Sequence, residues 1–178
     1  VEEIRAAGKP VEIIRIQELG GTSRAIQAGI DAAQRLVQEI SGLQRETVDI
    51  SEVVMAIKCG ASDTTSGMAS NCVIGYVADK LVDLGATVVF GETTEFLGGE
   101  HILAKRAVGG ENGPIGQKVY EIVDRMEKRA KSVGEDMRGG QPTPGNIAGG
   151  LSSIEEKSLG AIVKSGHRPI QGVLEYCD

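Results

Sequence analysis

The stretch that decides the fold is residues 53–67, which read Val-Val-Met-Ala-Ile-Lys-Cys-Gly-Ala-Ser-Asp-Thr-Thr-Ser-Gly. Its apolar start predicts a buried strand that ends near Lys58, and the spacing of apolar residues after Gly67 predicts a helix. The junction between them carries a thiol, a carboxylate and several hydroxyls. Because parallel α/β sheets bind ligands beyond the carboxyl ends of their strands, this loop is the best indicator of function in the chain.

Strands and helices alternate along the rest of the chain. Runs rich in β-branched residues predict further strands at residues 11–16, 86–90 and 170–174. Apolar residues at helical spacing predict helices at residues 26–40, 74–82, 100–107 and 115–133. This alternation predicts an α/β fold: a Rossmann-like three-layer domain with a mainly parallel sheet and helices on both faces. We expect residues 1–178 to form this single α/β domain.

Local signals predict where several helices begin. Thr22 or Ser23 is a candidate N-cap for the helix that follows. Ser152 and Ser153 each lie three residues before a glutamate, so either can form a capping box at the start of another helix. Residues 139–150 are rich in Gly and Pro, which predicts a long loop.

The composition argues against several classes of partner. A net charge of −6 disfavours nucleic acid, and the chain has no polybasic run for a membrane surface. It shows no signal peptide and no apolar run long enough to span a bilayer. Three irregularly spaced cysteines favour a reducing cytoplasm over a disulfide framework. With no Trp, two Phe and three Tyr, ligand recognition must rely on hydrogen bonds and charge, which suits a small polar acid or phosphate.

The segment 20–23, Gly-Gly-Thr-Ser, separates a predicted strand from a predicted helix. Glycines allow a ligand to approach the backbone, and a helix N-terminus offers free amides and a partial positive charge. A carboxylate or phosphate can therefore bind there. A tight turn with a capping residue explains the same residues without a ligand, and the segment matches neither the Walker A nor the GxGxxG pattern.

The loop from Cys59 to Gly67 offers both a metal ligand and hydroxyl groups. A thiolate at the carboxyl end of a strand can bind a metal, although no CxxC pair supports a structural zinc site. An isolated cysteine is often a buried small residue, and Asp63 and Ser66 can serve as turn and cap residues. The number of polar groups in so few residues favours a functional loop.

A second polar cluster follows the predicted strand at residues 86–90. Glu92, Glu95 and Glu100 lie close to His101, one of only two histidines in the chain. A bound cation would relieve the repulsion between carboxylates, and His or a carboxylate can act as a general base. A solvated acidic loop before a helix N-terminus, where Glu is favoured, is the alternative.

A third cluster lies around residues 142–150, where two prolines stiffen a glycine-rich segment that contains Asn146. Lys157 and Lys164 follow on the next predicted helix. A lysine near this loop can pair with a substrate carboxylate, although such a lysine is more often solvated.

Several of these motifs, in this order, resemble the UxaA family of altronate and D-galactarate dehydratases, which also includes the large subunit of sulfolactate sulfo-lyase. The matching segments are residues 18–22, 58–63, 66–67, 69–71, 92–95, 98–101, 142–151 and 156–161. The resemblance implies a lyase that acts on sugar acids and depends on Fe2+, for which Mn2+ or Mg2+ can substitute. The chain starts at Val1 rather than Met, so we expect it to be a fragment of a longer dehydratase that is inactive without the remaining domains of the same enzyme.

Dehydration of a hydroxy acid removes a proton next to the carboxylate and expels the neighbouring hydroxyl. We predict that the metal ligands are Cys59, Glu95 and Glu100. We predict that the catalytic residues are His101, Glu92 and Lys157. We predict that the substrate is bound by Gly21, Thr22, Ser62, Asp63, Thr64, Ser66, Asn71 and Asn146.

Other functions remain open at the level of sequence. The substrate can be altronate, galactarate or sulfolactate, the last of which would make the protein a carbon–sulfur lyase. A non-catalytic domain that binds an anion or phosphate through residues 20–22 is a further alternative. The expected partners are a small sugar acid, the remaining domains of the enzyme and a second copy of the chain in a homo-oligomer.

Overall fold

The structure is a computed structural model that describes residues 1–91 and 93–175. The chain divides into two compact units, Val1–Thr47 and Val48–Asp178. Among the described helices, none combines the length and the apolar character needed to cross a bilayer.

The first unit contains two helices, α1 (Glu2–Ala6) and α2 (Thr22–Ser41). The strand predicted at residues 11–16 does not form, since this stretch has no regular structure before a turn that begins at Ile16. A strand requires a partner for its backbone groups, and no strand of the described chain pairs with this segment. Capping by Thr22 or Ser23 is also wrong: the N-cap is Gly21, at a φ of 125° that strongly favours glycine.

The second unit contains a small parallel sheet of two strands, β1 (Val54–Ile57) and β2 (Thr87–Phe90). A π-helical turn, Ser66–Ser70, and helix α3 (Asn71–Asp83) connect them, so the predicted strand–helix–strand order is confirmed here. The strand predicted at residues 170–174 is reduced to a single parallel bridge between Ile170 and Ala107.

The remaining helices follow β2 and the 3-10 turn Thr93–Phe96. They are α4 (Glu100–Arg106), α5 (Pro114–Ser132), α6 (Met137–Gly140), α7 (Pro144–Ala148) and α8 (Ile154–Val163). The protein is therefore a mixed α/β structure with a small parallel sheet, and the Rossmann-like three-layer arrangement is not confirmed in the described chain.

The starts of α7 and α8 show how local side chains set where a helix begins. Helix α7 lies inside the predicted loop because Thr143 and Asn146 form a capping box and Pro144 occupies the first helical turn, where its missing N–H costs nothing. At α8 Ser153 is confirmed as the N-cap, since its hydroxyl accepts a hydrogen bond from the Glu156 amide at 3.2 Å. The predicted capping box does not form, because the Glu156 carboxylate accepts from the Ser152 amide at 2.7 Å and not from that of Ser153.

One hydrophobic core joins the 3-10 turn to helices α4, α5 and α8. Its buried side chains are Phe96, Leu97, Leu103, Ala104, Val119, Val123, Ile154 and Ile162. Phe90 at the end of β2 meets Phe96 edge to face, with ring centroids 5.3 Å apart. This packing fixes the turn that carries Glu95 against α8.

Helices α5 and α6 are linked by Glu127, and this link predicts a pH dependence of stability. Hydrogen bonds from Arg138 (2.8 and 3.2 Å) and then from Lys131 lower the pKa of Glu127 to about 2, from 4.5 in an unfolded chain. A carboxylate whose pKa is lower in the folded than in the unfolded state stabilises the fold at pH values above its unfolded-state pKa. This stabilisation is lost as the pH falls through the folded-state pKa.

We therefore expect Glu127→Gln to lower the free energy of unfolding at pH 7 and to have no effect near pH 2. Urea unfolding across this range measures the difference, and Glu121→Gln, at an exposed position of the same helix, is the matched control. A Glu127→Gln effect that stays constant from pH 7 to pH 2 would contradict the prediction.

Candidate active site

A cleft of about 620 Å³ opens at the carboxyl end of β1. The residues that line it come from the loop after β1, the 3-10 turn after β2, the region of α7 and helix α8. They are Lys58, Cys59, Gly60, Ala61, Ser62, Asp63, Glu95, Thr143, Gly145, Asn146, Gly149 and Lys157. All three polar clusters that the sequence pointed to contribute to this cleft.

The loop after β1 is held by its own polar side chains. The half-buried Cys59 Sγ lies 3.2 Å from the Ser62 hydroxyl. Asp63 Oδ1 accepts hydrogen bonds from the Thr65 hydroxyl (2.7 Å) and from the backbone and hydroxyl of Ser66 (2.8 and 3.0 Å). The hydrogen bond from Thr65, followed by those from Ser66, keeps the pKa of Asp63 below its usual value. The carboxylate is therefore ionised, and its hydrogen bonds organise the turn.

The region of α7 docks on this loop through backbone contacts that require small residues. The Thr64 amide and hydroxyl both donate to the Gly149 carbonyl, at 3.0 and 3.1 Å. A Cβ at Gly149 would lie 2.8 Å from the Asp63 Cβ, and Gly150 adopts a φ of 98°. The close approach of the two segments therefore depends on glycine at both positions.

Asn146 connects three parts of the cleft through its side-chain amide. Its Nδ2 donates to the Ser62 carbonyl at 2.8 Å, across 84 residues of chain. Its Oδ1 accepts from the Thr143 hydroxyl (2.9 Å) and from Lys157 Nζ (3.2 Å). This amide therefore sets the spacing between the two loops and α8, in addition to any contact with a ligand.

Lys157 is the nearly buried cation of the cleft, with 11% of its side chain exposed. Its Nζ donates to Gln141 Oε1 at 2.9 Å and lies 3.9 Å from Glu95 Oε1. Lys58 lines the same cleft at an exposed position. Ammonium groups in such a cleft can bind the carboxylate of an acid.

The other residues proposed from the sequence lie elsewhere. Thr64 and Ser66 make the loop contacts already described and do not line the cleft. The buried Asn71 donates to the Gly160 carbonyl at 2.9 Å, which joins α3 to α8. Gly21 and Thr22 belong to the first unit. His101 is exposed on α4, and neither it nor Glu100 lines the cleft.

The predicted metal set is only partly brought together. Cys59 and Glu95 line the cleft, whereas Glu100 lies at the start of α4, outside the lining. Within residues 1–91 and 93–175, no group of three or more His, Cys, Asp or Glu side chains is arranged to hold a metal ion. Glu92 lies outside the described residues.

Gln141 was missed as a site residue, and Lys164, although noted with Lys157 near the glycine-rich loop, was not assigned to the site. Gln141 accepts from Lys157, and Lys164 lies 3.6 Å from Glu95 Oε2. Lys164 follows Lys157 by seven residues, which is two helical turns, so the helical period was a usable signal for it. Gln141 carries no such signal, because its contact depends on the turn before α7.

Comparison with known families finds that the D-galactarate/altronate dehydratase, C-terminal model matches residues 50–178. This range contains every residue that lines the cleft.

Comparison with curated proteins finds relatives of two activities. The (2R)-sulfolactate sulfo-lyase subunit beta of Chromohalobacter salexigens is 44% identical over 100% of this chain and 45% of its own length. The galactarate dehydratase (L-threo-forming) of Escherichia coli is 38% identical over 86% of this chain and 29% of its own length. The altronate dehydratase of Bacillus subtilis is 32% identical over 92% of this chain and 32% of its own length. The chain thus spans less than half the length of each of these relatives.

Proposed function

We propose that this chain, which belongs to the D-galactarate/altronate dehydratase family, is part of a hydro-lyase that dehydrates a sugar acid such as altronate or galactarate. The observation that carries this proposal is that the family match covers the entire cleft lining. We expect the enzyme to act in the cytoplasm with further domains of the same protein, as a homo-oligomer.

The proposed reaction removes a proton from the carbon next to the carboxylate and expels the hydroxyl of the following carbon. The carbon–hydrogen bonding pair becomes the new double bond, and the leaving hydroxide takes up a proton to form water. Lys157 binds the carboxylate, and its positive charge offsets the negative charge that builds up there. We assign the Ser62 hydroxyl, which lies beside Cys59 in the cleft lining, to the binding of a substrate hydroxyl.

Proton transfer stays assigned as the sequence predicted it. His101 and Glu92 remain the predicted acid and base. Because His101 is exposed on α4, this role requires that substrate binding or a structural change bring it to the cleft. General acid–base catalysis requires a hydrogen bond to the reacting group, directly or through one bridging water.

Iron(II) remains a prediction for this protein, as do Mn2+ and Mg2+ as substitutes. The described residues alone do not fit a protein cage for the ion: Cys59, Asp63 and Glu95 all line the cleft, but no three His, Cys, Asp or Glu side chains among these residues are arranged to hold a metal. A bound ion would polarise the substrate carboxylate as a Lewis acid. No step above depends on it.

A second candidate is cleavage of a carbon–sulfur bond in sulfolactate. The 44% identity with a sulfolactate sulfo-lyase subunit over the whole chain favours it. The first half of the reaction, removal of the proton next to the carboxylate, is shared. The leaving group is then sulfite, which departs with the bonding electrons and requires less help from an acid than hydroxide does.

The experiment that tests the proposal is an anaerobic assay of the full-length protein with Fe2+, Mn2+, Mg2+ or a chelator. We expect a 2-keto acid product from altronate or galactarate, and at least a tenfold loss of activity on chelation that Fe2+ restores. Release of sulfite from (2R)-sulfolactate in place of dehydration supports the second candidate. Turnover of none of the three acids overturns both, and activity that survives chelation overturns the iron prediction.

A further inference from the structure

Three charged side chains meet where α8 packs against the 3-10 turn. Lys157 Nζ lies 3.9 Å from Glu95 Oε1, and Lys164 Nζ lies 3.6 Å from Glu95 Oε2. All three are nearly buried, with 11%, 11% and 5% of the side chains of Lys157, Glu95 and Lys164 exposed. Lys157 and Glu95 line the cleft and Lys164 does not, so Lys164 is the inner member of the cluster.

The core fixes the positions of these charges. Lys157 and Lys164 are two helical turns apart and therefore lie on one side of α8 and its C-cap. Phe96 and Leu97, which directly follow Glu95, pack with Ile154 and Ile162 of α8 in the hydrophobic core. The carboxylate between the two lysines is thus placed by apolar packing, which makes the arrangement rigid.

Among the described residues, the hydrogen bonds of Lys157 use two of its three donors. The acceptors are Gln141 Oε1 (2.9 Å) and Asn146 Oδ1 (3.2 Å). Glu95 is too far for a charge-assisted hydrogen bond, which is about 2.7–2.9 Å long. In the part of the chain that the structure describes, Glu95 Oε2 accepts no hydrogen bond either. Glu95 therefore acts on Lys157 through charge across space and does not occupy its third donor.

Lys164 changes what a ligand meets in the cleft. A buried Glu95 paired with Lys157 alone would cancel the charge that a substrate carboxylate needs. With Lys164 on the other carboxylate oxygen, Glu95 is shared between two lysines instead of being paired with Lys157 alone. Of these two lysines, Lys157 is the one that lines the cleft.

We propose that the Lys164–Glu95 ion pair is a positioning device that holds the Lys157 ammonium in place as the receptor for the substrate carboxylate. Glu95 and Lys164 act through Lys157 and do not touch the substrate. This inference rests on the proposed function in one respect, namely that the bound carboxylate is that of a lyase substrate.

A double-mutant cycle in the full-length enzyme tests whether Lys164 acts through Lys157. We expect Lys164→Met to raise KM for the acid at least about tenfold with less than a threefold change in kcat, and Lys164→Arg to restore KM to within threefold. In a Lys157→Ala background, Lys164→Met then adds less than a twofold effect. Additive effects of the two substitutions, or a loss confined to kcat, overturn the proposal.

A second measurement needs no turnover. The ¹⁵N-detected ammonium signal of Lys157 reports how well its N–H groups are protected from exchange with water. We expect this signal to be visible in the parent protein, to disappear in Lys164→Met and to persist in Lys105→Ala, at an exposed site on α4. If Lys164→Met does not fold, Glu95→Gln is used instead, with the same expected loss.

The two readouts separate the possible failures. A Lys157 signal that is unchanged by either substitution overturns the positioning role whatever the enzyme catalyses. Loss of the signal in a protein that turns over none of the three acids supports the positioning role and overturns the proposed function alone. A loss of bound iron on Glu95→Gln with an intact Lys157 signal assigns Glu95 to the metal and also overturns the proposal.

Discussion

Replacing Lys157 by alanine in the full-length protein is expected to lower kcat/KM for its acid substrate by at least about thirtyfold. Lys157 is nearly buried, donates to Gln141 and Asn146, and is the lysine of the cleft whose position is fixed on several sides. Truncating a buried, hydrogen-bonded charge costs about 2–5 kcal/mol of binding energy. Because 1.36 kcal/mol corresponds to a tenfold change in rate, the lower end of this range gives about a thirtyfold loss and about 2.7 kcal/mol gives a hundredfold loss.

Two control variants separate the charge of Lys157 from the general effect of losing a lysine. Lys105→Ala removes an exposed lysine of α4 and is expected to leave kcat/KM within twofold of the parent. Lys58→Ala removes an exposed lysine of the same cleft and is expected to cost less than Lys157→Ala. If Lys157→Ala folds normally and keeps more than a tenth of the parent kcat/KM, Lys157 is not the carboxylate receptor.

Gly75→Ala is expected to destabilise the fold by about 2 kcal/mol. Gly75 is buried in α3, and a Cβ there would overlap the Val163 carbonyl oxygen and lie 3.3 Å from the Gly166 amide nitrogen. Both neighbours are backbone atoms, so no side chain can turn away, and overpacking of this kind costs about 1–3 kcal/mol or more. The gain of about 1 kcal/mol in helix propensity from Gly to Ala offsets only part of the strain.

The region around Gly75 offers little freedom to relax. The amides of His167 and Arg168 donate to Asp79 Oδ1 on α3 at 2.6 and 3.1 Å. Arg168 also forms a bidentate ion pair with Asp83, with both contacts at 2.6 Å. These contacts hold the turn after α8 against α3, so the added methyl group must displace the turn or the helix.

Urea unfolding followed by far-ultraviolet circular dichroism measures this cost. The matched control is Gly145→Ala in α7, where a Cβ would meet no atom within 4 Å, and we expect its stability to stay within about 1 kcal/mol of the parent. A Gly75→Ala variant within about 0.5 kcal/mol of the parent would show that α3 and the end of α8 are not this close.

Short-range patterns predicted the elements that form from local signals. Runs of apolar and β-branched residues predicted the positions of strands β1 and β2, and the helical spacing of apolar residues predicted those of helices α3, α4 and α5. Helix α7 was missed although its signals, Pro144 and the Thr143–Asn146 capping box, are also local. The failed strands at residues 11–16 and 170–174 have the right composition but lack extended strand pairing in the described chain, which composition cannot report.

The acidic cluster is divided between the cleft lining, which includes Glu95, and the start of α4. Glu95 is held in the cleft by the 3-10 turn, whereas Glu100 and His101 begin α4. Gly98, at a φ of 82°, turns the chain between them. A metal site inferred from spacing alone could not anticipate this turn, and the roles of these residues remain predictions.

The sequence by itself determined the family, the main helices and the three segments that line the cleft, because each leaves a local signature of residue type and spacing. Only the tertiary structure decided which side chains of those segments meet. Asn146 reaches the Ser62 carbonyl across 84 residues, and Glu95 lies between Lys157 and Lys164 because the apolar core packs its turn on α8. Such contacts depend on how helices and loops pack against one another, and no periodicity in the chain encodes the distances that result.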